Sequence, residues 1–187
     1  MDLVKERELV EKAKDSLAAF DKLYEYYLPR IYGFILNRCG INEIAEDVTS
    51  QTFIKAMLKI KTYKFKGYTF GAWLYRIAHN NLMDYYRKNP NVEVLEPNLF
   101  ESTDRADFEA EKFERQKIIL EALKKLPGQY QQVLSLKFFE ELTNEEIADV
   151  LGCKKETLAV KLHRSLKALR KVLKEEGLLE ALNLINH

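Results

Sequence analysis

A chain of 187 residues, 47% hydrophobic and 32% charged, has room for one ordinary domain or two small ones and is too apolar to be disordered throughout. Its formal net charge of +1 conceals a segregated pattern. Residues 1–90 carry 15 basic and 11 acidic side chains (+4), residues 91–119 carry 4 and 8 (−4), and residues 120–187 carry 11 and 10 (+1). Whole-chain charge therefore says little, and local patches decide which partners are attracted. Cys39 and Cys153 stand far apart with no Cys-x-x-Cys spacing, so two reduced thiols are expected. Met1–Lys14 is charged throughout, which argues against a secretory signal, and no apolar run approaches the roughly 20 residues of a membrane span. A soluble, cytoplasmic chain with no direct membrane insertion is the expectation.

Seven glycines, four prolines and long apolar stretches at helical spacing predict an all-α fold. A first helix is expected from about Asp2. A second follows the cap candidates Asp15 and Ser16, with Leu17, Phe20, Leu23, Tyr24 and Tyr27 on one face. Pro29 is expected to kink or restart it, and Cys39-Gly40 to end it. The next helix runs from about Glu43 to Ile60. Its buried stripe is Ala45, Val48, Thr49, Thr52, Phe53, Ala56 and Ile60, while Asp47, Gln51 and Lys55 repeat on another face. Such a polar stripe is either simply wet or a docking surface. Lys61–Gly71 reads as an aromatic-rich loop and Ala72–Lys88 as a helix stopped by Asn89-Pro90.

The stretch Lys55–Lys88 has eight basic residues against the single acid Asp84, and eight of the chain's 21 aromatic rings. Cations neutralise phosphates, and flat rings stack on bases that have left the duplex. Two readings stay open: contact with unpaired nucleic acid, or core rings beneath an ordinary solvated face. Residues 91–107 read as an acidic linker with Pro97, after which a helical pattern resumes at Phe108, breaks at Pro127-Gly128 and continues over Gln129–Phe139. In Leu142–Lys174, Thr143 and Glu146 form a capping box, Ala148 is small enough for a close helix crossing, and Gly152 suits a tight turn. That is helix-turn-helix spacing, and Lys154–Lys174 holds eight basic residues and one acid. A helix with such an outer face fits a major groove. No catalytic group, phosphate-binding loop or metal-ligand cluster is visible, so neither an enzyme nor a cofactor or metal is expected.

Three sets of residues resemble region 2 of bacterial extracytoplasmic-function (ECF) sigma factors of the sigma-70 family. They are Ala19–Tyr24, Ala45–Val48 with Gln51-Thr52-Phe53, and Phe70–Asn80. Leu126-Pro127, Glu145–Ala148 with Leu151-Gly152, and Thr157 with Leu162-His163-Arg164 resemble their region 4. The resemblance implies two small helical domains joined by a flexible acidic linker: 1–90 as region 2, 91–111 as linker and 112–187 as the region 4 helix-turn-helix. It implies RNA polymerase core as partner, through the β′ clamp and β flap, together with promoter DNA and an anti-sigma factor as a further partner class. Asp47, Gln51, Thr52 and Lys55 would meet the polymerase.

Lys61, Tyr63, Lys64, Phe65, Lys66, Tyr68, Trp73, Arg76, Asn80 and Arg87 would take the melted −10 element; for Trp73 a core ring is the competing reading. Lys154, Lys155, Thr157, Ala159, Val160, Lys161, His163 and Arg164 would meet the −35 duplex. Ala159 and Val160 depart from the family pattern, which commonly has a basic and then a small polar residue there. Either they touch thymine methyls, or the −35 contact is mostly to phosphate. The alternative function is a helix-turn-helix regulator that never becomes a polymerase subunit.

Overall fold

A computed structural model describes residues 1–65, 68–90 and 118–178. Among them all regular structure is helical: α1 (Leu3–Ala13), α2 (Leu17–Cys39), α3 (Asn42–Lys59), a 3-10 turn (Ile60–Thr62), α4 (Phe70–Lys88), α5 (described over 118–124), α6 (Gly128–Phe138), α7 (Asn144–Val150) and α8 (Lys155–Glu175). The expected linker 91–111 lies outside the described residues.

The helix boundaries have local causes. Asp2 and Ser16 accept hydrogen bonds from Val4 N (3.4 Å) and Ala19 N (3.3 Å), satisfying amides that have no partner inside their helices. Gly40 closes α2 in the left-handed region (φ 65°) and donates its N–H to Leu36 O. Pro29 neither stops nor restarts α2, which runs unbroken for 23 residues. The one missing N–H bond is outweighed by Leu23, Tyr27, Ile31, Phe34 and Ile35, all buried on the two sides of the proline. Helix α4 begins two residues earlier than the sequence suggested. Thr69 accepts from Ala72 N (3.1 Å), and burial of Phe70 and Gly71 draws them into the helix.

All seven residues expected on the inner stripe of α3 are buried. With Leu74, Tyr75, Ala78 and Leu82 of α4 and the inner faces of α1 and α2 they form the first core. At its base sits Glu6, 4% exposed, accepting from the Tyr27 hydroxyl and from Phe70 N (3.2 Å). Burial, and then the neighbouring carboxylate, push the Tyr27 phenol well above its usual range, so the hydroxyl stays a donor.

A second core joins Ile119, Ala122, Leu123 and Leu126 to Leu134 of α6 and to Leu169 and Leu173 of α8. The first core does not stop at α4. It runs on through Val133, Leu136, Leu142, Ile147, Ala148, Val150 and Leu158, so the C-terminal helices share apolar contacts with the N-terminal bundle. The sequence led us to expect separate modules; here α7 lies against α4.

Candidate nucleic-acid interface

The helix-turn-helix has the local geometry its sequence promised. Thr143 Oγ1 accepts from Glu146 N (3.2 Å), Thr143 N donates back to Glu146 Oε2 (2.9 Å), and Gly152 makes the turn at φ 60°. Ala148 is buried where α7 and α8 cross, and Leu158 anchors the start of α8. This leaves Lys154, Lys155, Thr157, Ala159, Val160, Lys161, His163 and Arg164 all exposed. Thr157, Val160, Lys161 and Arg164, at intervals of three and four, share one arc, with Val160, 52% exposed, at one edge of it. Ala159 is exposed as well but stands about 100° round the helix from Val160, outside this arc. The arc carries two cations and an apolar tip, the chemistry needed to meet phosphates and a methyl group.

The second set lies along α4 and the segment before it. Trp73, Arg76, Asn80 and Arg87 fall on one face at helical spacing. Lys61 and Lys64 are exposed, and Lys66 lies outside the described residues. The rings divide between the two readings. Phe70 and Tyr75 are core, while Tyr63, Phe65, Tyr68 and Trp73 are half-buried. Tyr63 and Trp73 pack on Phe70, with centroids 5.5 Å and 5.2 Å from it and 5.0 Å from each other. Burial pushes the Tyr63 phenol up to about 12, and its hydroxyl faces Tyr68 O at 3.4 Å. Phe65 lies beneath the Arg7 guanidinium, 5.0 Å from its centroid. The rings are thus a prebuilt platform with one edge in the core, and not a free-standing loop.

Among the expected docking residues, Asp47, Gln51 and Lys55 are exposed, and Gln51 Nε2 donates to Asp47 Oδ2 (2.8 Å). Thr52 is a correction. It is fully buried, donates to Val48 O (2.7 Å) and accepts from Asn81 Nδ2 (3.0 Å), so no partner can touch its side chain. A β-branched residue four after Val48 on the inner stripe satisfies its hydroxyl within its own helix and is better suited to the core than to the surface. Lys55 also reaches inward to Asn81. The sequence reading missed the apolar neighbours of that stripe. Ile54 (52% exposed), Met57 (43%) and Leu58 (73%) stand on the outer face of α3, and Ile54 and Met57 with Leu17 and Tyr24 rim a groove against α2. The signal was there in Ile54-x-x-Met57-Leu58, which has no inward place on the α3 wheel.

Sequence reasoning also missed what covers α4. Arg76 Nη1 donates to both oxygens of Asp149 on α7 (2.9 and 3.1 Å). Thr69 N and Oγ1 both donate to Glu146 Oε1 (2.7 and 2.8 Å). The Tyr75 hydroxyl donates to Glu140, which also lies 3.7 Å from Arg30. Gln132 Nε2 sits 3.2 Å from His79 Nδ1. Burial first, then Arg38 and Lys161, lower the His79 imidazole to about 4, so at neutral pH the ring is uncharged and can accept from the amide. Three acids within the seven residues of α7, opposite a strongly basic stretch, were the available clue.

A helix-turn-helix with a cationic outer face, joined to a second helical bundle bearing arginines and rings, defines a two-module DNA-binding protein. Residues 23–91 match the sigma-70 region 2 family and residues 116–169 match sigma-70 region 4. ECF RNA polymerase sigma factor BldN of Streptomyces coelicolor is 31% identical over 183 residues, which is 94% of this chain and 69% of that one. RNA polymerase sigma factor YlaC of Bacillus subtilis is 31% identical over 166 residues, 86% and 93% of the two chains. The sigma factor RpoE of Bartonella quintana, solved with the anti-sigma factor NepR, has the same fold (TM-score 0.60, 22% identity, 83% of this chain and 96% of that one). The chain belongs to the ECF group of sigma-70 family RNA polymerase sigma factors.

Proposed function

We propose a division of labour among three faces of this sigma factor. Residues 112–187 hold duplex at the −35 element through Lys154, Lys155, Thr157, Lys161 and Arg164, with Val160, and Ala159 beside it, against thymine methyls. Residues 1–90 take the unpaired strand of the −10 element. There Tyr63, Phe65, Tyr68 and Trp73 offer ring edges and faces, and Lys61, Lys64, Arg76, Asn80 and Arg87 supply charge and hydrogen bonds. The outer face of α3, Asp47, Gln51 and Lys55 together with Ile54, Met57 and Leu58, docks on the core polymerase. This places its work in the cytoplasm, and the chemistry of transcription stays with the polymerase. An antagonist of the anti-sigma class is a further partner suggested by likeness to the RpoE complex.

The observation that carries this reading is the alignment of Trp73, Arg76, Asn80 and Arg87 on one face of α4, beside rings held half-exposed by the Phe70 core. Unpairing a base costs a few kcal/mol, and two or three stacked bases at about 1–3 kcal/mol each offset it. Such a face favours opened DNA because it binds that state better. The test is run-off transcription with a heterologous core enzyme, with permanganate footprinting of the start region. Arg76→Ala is expected to weaken opening, and Lys161→Ala to weaken duplex binding and lower its salt slope by about one. Permanganate reactivity unchanged in Arg76→Ala refutes the role of α4, and failure to co-purify with core polymerase refutes the docking face.

A further inference from the structure

The contact between α7 and α4 uses one residue assigned above to the unpaired strand, Arg76, and the cap of the same helix, Thr69. Arg76 spends its hydrogen bonds on Asp149, and the N-terminal Thr69 of α4 gives both its amide and its hydroxyl to Glu146. Carboxylate oxygens thus stand where phosphate or base-edge oxygens would be bound, on an arginine and at a helix start. Glu146 is 4% exposed, and the apolar contacts of Ile147, Ala148 and Val150 bring α7 onto α4 as part of one continuous core. The side chains of the recognition arc of α8 remain exposed.

We propose that this is a self-masked state, in which the acidic helix of the helix-turn-helix occupies the strand-binding face of α4 and must leave before unpaired DNA can enter. The proposal rests on the assignment of α4 to the unpaired strand. It goes beyond that assignment by naming the competitor, Glu146 and Asp149 of the same chain. It also fixes an order of events. The masked protein can meet duplex through α8, and it cannot hold a melted strand until α7 and α4 separate. Binding measured on the free chain is then reduced by the fraction of molecules that are open.

The test uses the full chain and two readouts, hydrogen exchange of residues 69–76 and fluorescence anisotropy of a fluorescein-labelled 20-nucleotide single strand of randomised sequence. Asp149→Ala removes the ion pair without touching the α7 cap. It is expected to speed exchange of the Thr69 amide and to tighten strand binding about threefold, the factor a partly exposed ion pair supplies. Glu175→Ala, which removes the same charge far along α8, is expected to change neither. Arg76→Ala added to Asp149→Ala is expected to keep the faster exchange and lose the gain in binding. Exchange unchanged in Asp149→Ala overturns the mask. Faster exchange with no gain in strand binding overturns instead the assignment of α4 on which the mask's role depends.

Discussion

Gly71→Ala sets two opposing effects against each other at one carbon. In an exposed helix interior, alanine is worth about 1 kcal/mol over glycine. At position 71 the new Cβ would lie 2.9 Å from Tyr27 Cε1, 3.2 Å from its Oη and 3.4 Å from its Cζ. The ring cannot swing away. Its hydroxyl is given to the buried Glu6, and its faces and edges meet Tyr26 (centroids 4.9 Å apart) and Phe70 (5.8 Å). Overpacking of this kind costs about 1–3 kcal/mol, so set against the helical gain it leaves a net loss of up to about 2 kcal/mol. Gly33 is the internal control, lying inside α2 with nothing within 4 Å of a Cβ placed on it. Gly33→Ala should raise stability by about 0.5–1 kcal/mol. Thermal unfolding followed by circular dichroism should place the two variants on opposite sides of the parent, with Gly71→Ala up to about 5 °C lower. A Gly71→Ala protein at least as stable as the parent would show that Tyr27 is free to move and that the Glu6 anchor is not rigid.

Acid should loosen the fold through His79. Its imidazole sits at about 4 when folded against 6.5 when free, so between those values the unfolded chain binds the extra proton and stability falls as pH drops. The difference corresponds to about 3 kcal/mol for a fully enclosed ring, and partial exposure reduces it to about 1–2 kcal/mol; urea unfolding at pH 7 and pH 4.5 should show the loss, and His79→Gln should flatten it. Thr143→Ala removes the Oγ1 half of the α7 capping box, leaves the backbone N–H of residue 143 on Glu146, and should cost about 1 kcal/mol in the same assay, with Thr143→Ser restoring most of it. Leu58→Asp, on a side chain 73% exposed, should leave the unfolding midpoint within error and reduce co-purification with core polymerase. Thr52→Val should do the reverse, lowering stability by about 1–2 kcal/mol because Asn81 Nδ2 loses its acceptor.

Much of this was legible from pattern alone, because the physics involved is local or periodic. The inner stripe of α3, the Ser16 and Thr143 caps, the left-handed glycine after Cys39 and the helix-turn-helix spacing all depend on neighbours within a few residues. What escaped depends on which surfaces meet. Periodicity puts Thr52 on the inner stripe and the resemblance puts it on the docking face; its hydroxyl is satisfied by Val48 O, four residues back, and the inward placement is the one found. Ile54, Met57 and Leu58 break the α3 period, and their exposure is what marks them as an outer apolar patch. Glu146 was recognised as a cap for its own helix, but its second oxygen reaches Thr69, 77 residues away in the chain. No local rule reports a distance of that kind. The aromatic stretch was ambiguous for a related reason. Phe70 is core, while Tyr63 and Trp73 packed on it are half-buried, so each of the two readings described one side of the same cluster.

Helix α1 precedes the region that matches the sigma-70 family, which begins at residue 23, and yet it supplies the acid on which the start of α4 rests. Fragments trimmed to the family boundary would lose Glu6, leaving the Tyr27 hydroxyl and the Phe70 amide without their acceptor beneath the start of α4. Work with the N-terminal half therefore needs the first sixteen residues, and a bulky tag ahead of Met1, whose amino group meets the Tyr26 hydroxyl, belongs at the other terminus.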